Sequence, residues 1–147
     1  MKHLLVAAGL ALILSTPALA QYVSQAPSDV SSMMSFAMLG DSNAQLNLAN
    51  YYATSHNAAP ELEQAAKWYR KAADQGNAEA QYRLGDFYYK GKGGLTKSYE
   101  EAYYWFTLAA KAGGKAFATD RDETAGHLTP EQVDAVKKRA DDWKPKK

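Results

Sequence analysis

An all-α array of helical hairpins, stacked as a solenoid, is what this chain predicts, and three features argue for it. The first is internal repetition. Gly40-Asp-Ser-Asn-Ala-Gln-Leu-Asn-Leu48 returns as Gly76-Asn-Ala-Glu-Ala-Gln-Tyr-Arg-Leu84, and Lys67-Trp-Tyr-Arg-Lys-Ala-Ala73 returns as Tyr104-Trp-Phe-Thr-Leu-Ala-Ala110. Ala44 and Ala80, Gln45 and Gln81, Leu48 and Leu84, and Tyr52 and Tyr88 are each 36 positions apart, whereas Trp68 and Trp105, Ala72 and Ala109, and Gly76 and Gly113 are 37 apart. A fixed period of this size marks stacked supersecondary units that bury their apolar faces on one another. The second feature is the apolar spacing inside each unit. Ala80, Leu84, Phe87 and Tyr88, then Ala102, Trp105, Phe106, Ala109 and Ala110, recur at offsets of three, four, seven and eight, the stripe of an amphipathic helix. Ala44, Leu48, Tyr51 and Tyr52, then Ala65, Trp68, Tyr69, Ala72 and Ala73, repeat it in the first unit. The third is glycine at the helix ends: Gly40, Gly76 and Gly113 stand where a helix stops on a left-handed residue.

Taken in order, residues 1–20 read as a secretory signal peptide. Lys2 and His3 give a basic start, Leu4 to Leu14 is an uncharged apolar run too short to span a bilayer, and Pro17-Ala-Leu-Ala20 ends in the small residues a signal peptidase reads. Cleavage is predicted after Ala20, followed by a mobile lead-in over 21–28. A capping helix is predicted over 29–39, started by Asp29 or Ser28. The first repeat follows over 40–75 and the second over 76–112. In the first, Ser55-His-Asn-Ala-Ala-Pro60 is the turn between the paired helices, and Pro60 starts the second helix. In the second, the turn is Gly91-Lys-Gly-Gly-Leu95, one glycine longer, which accounts for the slip from 36 to 37; Ser98-Tyr-Glu-Glu101 then has capping-box spacing. Residues 113–143 read as a degenerate repeat with a capping helix. That helix opens with a second capping box at Thr129-Pro-Glu-Gln132 and carries a stripe of Val133, Val136, Ala140 and Trp143. Residues 144–147 read as a frayed basic tail.

Composition narrows the functional classes. After removal of Lys2 with the signal, 16 of the 17 Lys+Arg remain against 16 Asp+Glu, so the processed chain is neutral and makes no electrostatic case for nucleic acid. There is no cysteine. Disulfides, thiol nucleophiles and thiolate metal sites are therefore excluded, and packing alone must hold the fold.

Ala80-Gln-Tyr-Arg-Leu-Gly-Asp-Phe-Tyr-Tyr-Lys-Gly91, followed by Gly93, Leu95, Ala102, Trp105, Ala109-Ala110 and Gly113, resembles a Sel-one-like repeat, a relative of the tetratricopeptide repeats. Residues 40–76 resemble it too, with Ala49 where Gly85 stands in the second unit, and Leu128-Thr-Pro-Glu-Gln132 resembles the closing segment of bacterial members. The resemblance implies a right-handed superhelix of αα-hairpins and an adaptor or scaffold that holds a protein or peptide. It further implies an exported bacterial protein, periplasmic or secreted, of the kind associated with cell-envelope complexes, secretion systems and host interaction. The β-lactam binding linked to some cysteine-rich relatives is not carried over, because their cysteines are missing here.

In tetratricopeptide-like geometry the first helix of each pair lines the concave face. The expected partner-binding residues are then Asn43, Leu46 and Asn50, with Ala53 and Thr54, in the first unit, and Glu79, Tyr82, Asp86, Tyr89 and Lys90 in the second. Tyrosines beside amide and carboxylate groups suit recognition, although the rings of Tyr82 and Tyr89 would equally serve to cover neighbouring helices. Nothing points to catalysis. His56 and His127 have no second ligand at metal-binding spacing. Glu61, Glu63, Glu100 and Glu101 fall in first helical turns, where negative charge suits the helix dipole. Gly91-Lys-Gly-Gly94 lacks the Lys-Ser/Thr pair and the preceding strand of a phosphate loop. The expectation is a non-enzymatic, monomeric interaction module with no cofactor, no metal, no nucleic acid and no transmembrane anchor after signal cleavage. A periplasmic immunity protein that neutralises a toxin is the alternative within binding. An envelope hydrolase or β-lactam-binding enzyme is the alternative from another class.

Overall fold

The computed structural model describes residues 30–55 and 59–146. The signal peptide, the lead-in, the Ser28 or Asp29 cap, His56 and Lys147 lie outside the described residues. Within them the chain forms α1 (Val30–Met38), α2 (Ser42–Ser55), α3 (Ala59–Asp74), α4 (Ala78–Lys90), α5 (Tyr99–Gly113), a 3-10 turn over Gly114–Phe117, α6 (Ala118–Ala125) and α7 (Pro130–Asp141). Among these residues there is no strand. Helices α2 and α3 form the first hairpin and α4 and α5 the second, with α3 packed on α4 between them.

The repeat is visible as repeated hydrogen bonding. At the first junction, Gly40 N–H donates to Ala37 O and Asp41 N–H to Phe36 O; at the second, Gly76 N–H donates to Ala73 O and Asn77 N–H to Ala72 O. This double bond is the Schellman closure, and it needs a left-handed residue: Gly40 has φ 95° and Gly76 φ 93°. The next residue then caps the following helix. Asp41 Oδ1 accepts from Ala44 N–H at 2.6 Å, and Asn77 Oδ1 from Ala80 N–H at 3.0 Å. The third junction departs from expectation. Gly113 has φ −106° and stays helical, and Gly114 takes the positive φ, 74°, one residue later. The 3-10 turn follows directly, and Phe117 folds against Gly113, where an added Cβ would collide with its ring.

A buried glutamine stitches each junction. Gln45 Nε2 donates to Ala37 O at 3.0 Å, and Gln81 Nε2 to Ala73 O at 3.2 Å. The two copies differ at the carbonyl end. Gln45 Oε1 accepts from Gln75 Nε2 at 2.8 Å, whereas the buried Gln81 Oε1 has no partner. Shifting Gln75 by the 37 positions that relate the second helices gives Ala112, which has no donor to offer.

Alanine and aromatic seams fill the core. Ala65, Ala66, Tyr69, Ala72, Ala73, Ala80, Leu84, Phe87, Tyr103, Tyr104, Trp105, Leu108, Val136 and Ala140 are buried in one cluster. Trp105 is 3% exposed, but Trp68 is half-buried at the edge of the cluster with the Lys71 ammonium 4.2 Å from its ring centroid. Tyr51, expected on the apolar stripe, is 40% exposed; its neighbour Tyr52 turns toward the core instead. Where α4 packs on α5, glycine is required. A Cβ on Gly85 would stand 2.7 Å from the buried Phe106 ring.

The turn chemistry splits in two. Thr129 and Gln132 form the full reciprocal capping box, with Pro130 as the first helical residue. At Ser98 only half of the motif forms: the hydroxyl accepts from Glu101 N–H, while the Glu101 carboxylate is drawn to Arg139. The tail is not frayed over its described residues. Lys146 N–H donates to Asp74 O at 2.8 Å, its ammonium pairs with Asp74 Oδ2 at 2.8 Å, and Trp143 and Pro145 lie over Gly76. Residues 143–146 are thus clamped onto the end of α3.

Candidate functional site

Helix α4 offers the first place to look. Its inward stripe (Ala80, Leu84, Phe87) is taken up by the core, so Tyr82, Asp86, Tyr89 and Lys90 fall on another side of the helix. Helix α6 lies across from that side, held there by aromatic packing. The Tyr82 ring is 5.4 Å from Phe106 and 5.1 Å from Phe117, both tilted. Tyr82 O–H donates to Asp120 Oδ2 at 2.5 Å, and Thr124 O–H donates back along α6 to Asp120 O at 2.6 Å. Tyr82 therefore does cover its neighbour, and in doing so it closes one end of a hollow.

That hollow is a cavity of about 260 Å³ lined by Tyr82, Asp86, Tyr89, Lys90, Phe106, Asp120, Glu123 and Thr124. Phe106 and Thr124 are buried and form its inner lining. The carboxylates outnumber the cations three to one, and the single lysine is committed: Lys90 Nζ sits 2.6 Å from Asp86 Oδ1. Glu123 has no side-chain partner among the described residues. The hydrogen bond to Asp120 is the main reason the Tyr82 hydroxyl is pushed up to about 12, with burial and the charges of Asp120 and Asp86 adding to it and Arg83 opposing.

Beside the hollow is a second aromatic group. Tyr99 and His127 stack at 4.1 Å and 6°, Tyr89 meets both edge-on, and the Lys97 ammonium lies 4.8 Å from the Tyr99 ring. His127, expected as an isolated loop histidine, is exposed but stacked. Its Nε2 is 3.4 Å from the Tyr89 hydroxyl.

The structure thus brings four of the expected residues together (Tyr82, Asp86, Tyr89 and Lys90) and separates the others from them. Glu79 is bound by Arg83 one turn on, at 2.8 Å. Asn43 Oδ1 accepts from Asn77 Nδ2 at 3.1 Å, and Asn50 Oδ1 from Tyr69 O–H at 2.7 Å. Leu46 and Ala53 pack on the core, and Thr54 O–H donates to Asn50 O at 2.9 Å. The sequence reading missed Asp120, Glu123 and Thr124. The available signal was the repeat offset: Asp120 and His127 lie 38 positions after Tyr82 and Tyr89, which places α6 and the turn after it in register with α4 as the next first helix of the array.

The glycine turn has a packing role. Gly93, at φ 64°, lies so close to α3 that a Cβ would stand 2.6 Å from Leu62 O and 2.9 Å from Ala66 Cβ and the Phe87 ring. The shallow hollow it borders includes Arg70, whose guanidinium is already held by the Tyr88 hydroxyl and the Tyr88 and Trp105 rings. Among the described residues no group of His, Cys, Asp and Glu could hold a metal ion, and no helix is long and apolar enough to cross a membrane.

Comparison with known proteins agrees with the helical-repeat fold. The Sel1 repeat model matches residues 42–77 and 78–114. The crystal structure of c5321, a protective antigen of uropathogenic Escherichia coli with an SLR fold, superposes with a TM-score of 0.71 at 31% identity, covering 84% of this chain and 28% of that one. A Sel1 repeat protein from Oxalobacter formigenes gives 0.62 at 27% identity, covering 76% of this chain and 47% of the other. The chitin synthase regulator SKT5 of Saccharomyces cerevisiae is 38% identical over 76 residues, half of this chain and 11% of the regulator. The chain spans less than half the length of each. Sel1 repeats in general mediate protein–protein interaction. With two tandem copies of that repeat forming its central hairpins, the chain is a Sel1-repeat protein of the SLR fold.

Proposed function

We propose that this protein is a non-enzymatic adaptor of the bacterial cell envelope, exported to the periplasm or beyond after cleavage behind Ala20, and that it holds a partner protein or peptide along the face bearing Asn43, Leu46, Asn50, Glu79, Tyr82, Asp86, Tyr89 and Lys90. The observation that carries the reading is the hollow between α4 and α6, where two tyrosines and three carboxylates converge with no catalytic geometry among them. Tyrosine supplies contact area at low entropic cost, and the carboxylates fix orientation. The three-part leader at residues 1–20 supports export. So does the likeness to a bacterial protective antigen. Asn43, Leu46 and Asn50 are not among the residues that line the hollow, so the second unit is the centre of the proposed contact.

The test is a crosslinked pull-down from envelope extract with processed protein that carries a photoreactive side chain in place of Tyr89. A partner should be recovered near one-to-one, and lost when Tyr82 and Asp86 also become Ala while the helical spectrum stays native. Recovery of a small molecule alone, or turnover of an envelope substrate by purified protein, would overturn the proposal.

A further inference from the structure

The hollow between α4 and α6 has a chemistry more specific than a generic groove, and we infer that it receives one arginine or lysine side chain projecting from an extended segment of the partner. This deepens the adaptor reading and rests on it. Its 260 Å³ is below the roughly 300–1,000 Å³ of small-molecule sites, and it suits a single long side chain entering from a backbone that stays outside. The inner lining offers the aromatic face of Phe106 and the walls offer Tyr82 and Tyr89, against which a methylene stem would pack. The rim carries Asp86, Asp120 and Glu123. Lys90 neutralises part of Asp86, and Asp120 receives the Tyr82 hydroxyl. Glu123 is left to take an incoming positive charge. A carboxylate ligand would meet three like charges here, so charge complementarity selects a cation. The donor set suits no metal ion. The cation that fits is one with an apolar stem and N–H donors.

The protein already binds this group once within its own fold. The Arg139 guanidinium lies 3.6 Å from the Tyr104 ring centroid and forks onto both oxygens of Glu101 at 2.8 and 2.9 Å. Tyrosine and glutamate are also the residue types that line the hollow, as Tyr82, Tyr89 and Glu123.

The probe is N-acetyl-arginine methylamide, titrated into the processed protein and followed by the NMR signals of the tyrosine and phenylalanine rings. Its control is the citrulline analogue, which keeps the shape and loses the charge. Shifts should concentrate on Tyr82, Tyr89 and Phe106. The citrulline compound should bind roughly tenfold more weakly, and Glu123→Gln should weaken the arginine compound about fivefold, the effect of one exposed ion pair. Glu123 is exposed, so its replacement leaves the fold intact. Equal binding of the two compounds, shifts centred elsewhere, indifference to Glu123→Gln, or no binding would each overturn the inference. The adaptor reading fails separately. A partner crosslinked at position 89 through a segment lacking Arg and Lys sinks this inference and keeps the adaptor. Specific arginine binding with no partner recovered keeps the cation site and sinks the adaptor.

Discussion

Arg139, in the last turn of α7, grips Glu101, in the first turn of α5, through two hydrogen bonds of 2.8 and 2.9 Å while lying over Tyr104. The carboxylate that sequence spacing assigned to a capping box is spent on tertiary structure instead, and the C-terminal cap is fixed to the second hairpin. Side-chain exposures of 43% and 32% keep the pair in reach of solvent, so its contribution is modest. Arg139→Ala should cost about 1 kcal/mol, and Arg139→Lys should recover less than half of it, because lysine lacks the fork and the flat face. The denaturant midpoint at unchanged slope is the readout; full recovery with lysine would show that charge alone matters.

Two glycines stand at close approaches, Gly85 within α4 and Gly93 in the glycine turn, and at the first the packing should override helix propensity. Alanine normally stabilises a helix by up to about 1 kcal/mol over glycine. Gly85→Ala should nevertheless destabilise by about 1–3 kcal/mol, since the methyl would stand 2.7 Å from the buried Phe106 ring. Gly93→Ala should be at least as harmful, and Gly94→Ala milder, its nearest neighbour being the flexible Glu63 side chain at 3.3 Å. Thermal melts of the three variants decide the order.

Trp68 and Trp105, equivalent by sequence, should not be equivalent in energy. Trp105→Ala removes a side chain that is 3% exposed and should cost about 3–5 kcal/mol. Trp68 is only partly buried, and Trp68→Ala should cost less than half as much. Equal losses in urea unfolding would contradict the packing described above.

The orphaned Gln81 carbonyl invites a stabilising change. Ala112→Gln places an amide where Gln75 serves the first unit, and should add about 0.5–1.5 kcal/mol. The gain should vanish in a Gln81→Leu background; persistence there would mean that the new side chain acts elsewhere.

Alkaline pH should destabilise the protein through its raised phenols, Tyr69 and Tyr82 foremost. Tyr69 is pushed up to about 12 chiefly by burial, and Tyr82 to about 12 chiefly by its hydrogen bond to Asp120, against 10 in the unfolded chain. A raised folded value means the stabilisation is complete below pH 10 and is lost as pH climbs through 12. Tyr82→Phe should flatten that loss, with stability against pH and tyrosinate absorbance as the measurements. A Tyr82→Phe protein that loses stability as steeply as the parent over this window would rule out the Tyr82 contribution.

The sequence by itself determined the helical hairpins, because period, apolar spacing and helix stops are local properties that each segment states for itself. Gly40 and Gly76 behave as their spacing requires, and so do Pro130 and the Thr129–Gln132 box. Tertiary structure decided which side chains share a space. The sequence holds two candidate partners for Glu101, the Ser98 backbone and the distant Arg139, and only docking of α7 selects between them. Likewise Tyr82 and Tyr89 were legible as surface residues of one helix, but the hollow exists only because α6 folds across them with Asp120 and Glu123. Repetition encodes how each hairpin stacks on the next. It says nothing about the end of the array, where Gly114 replaces Gly113 as the helix stop and Lys146 returns to Asp74, since there the neighbours are no longer copies.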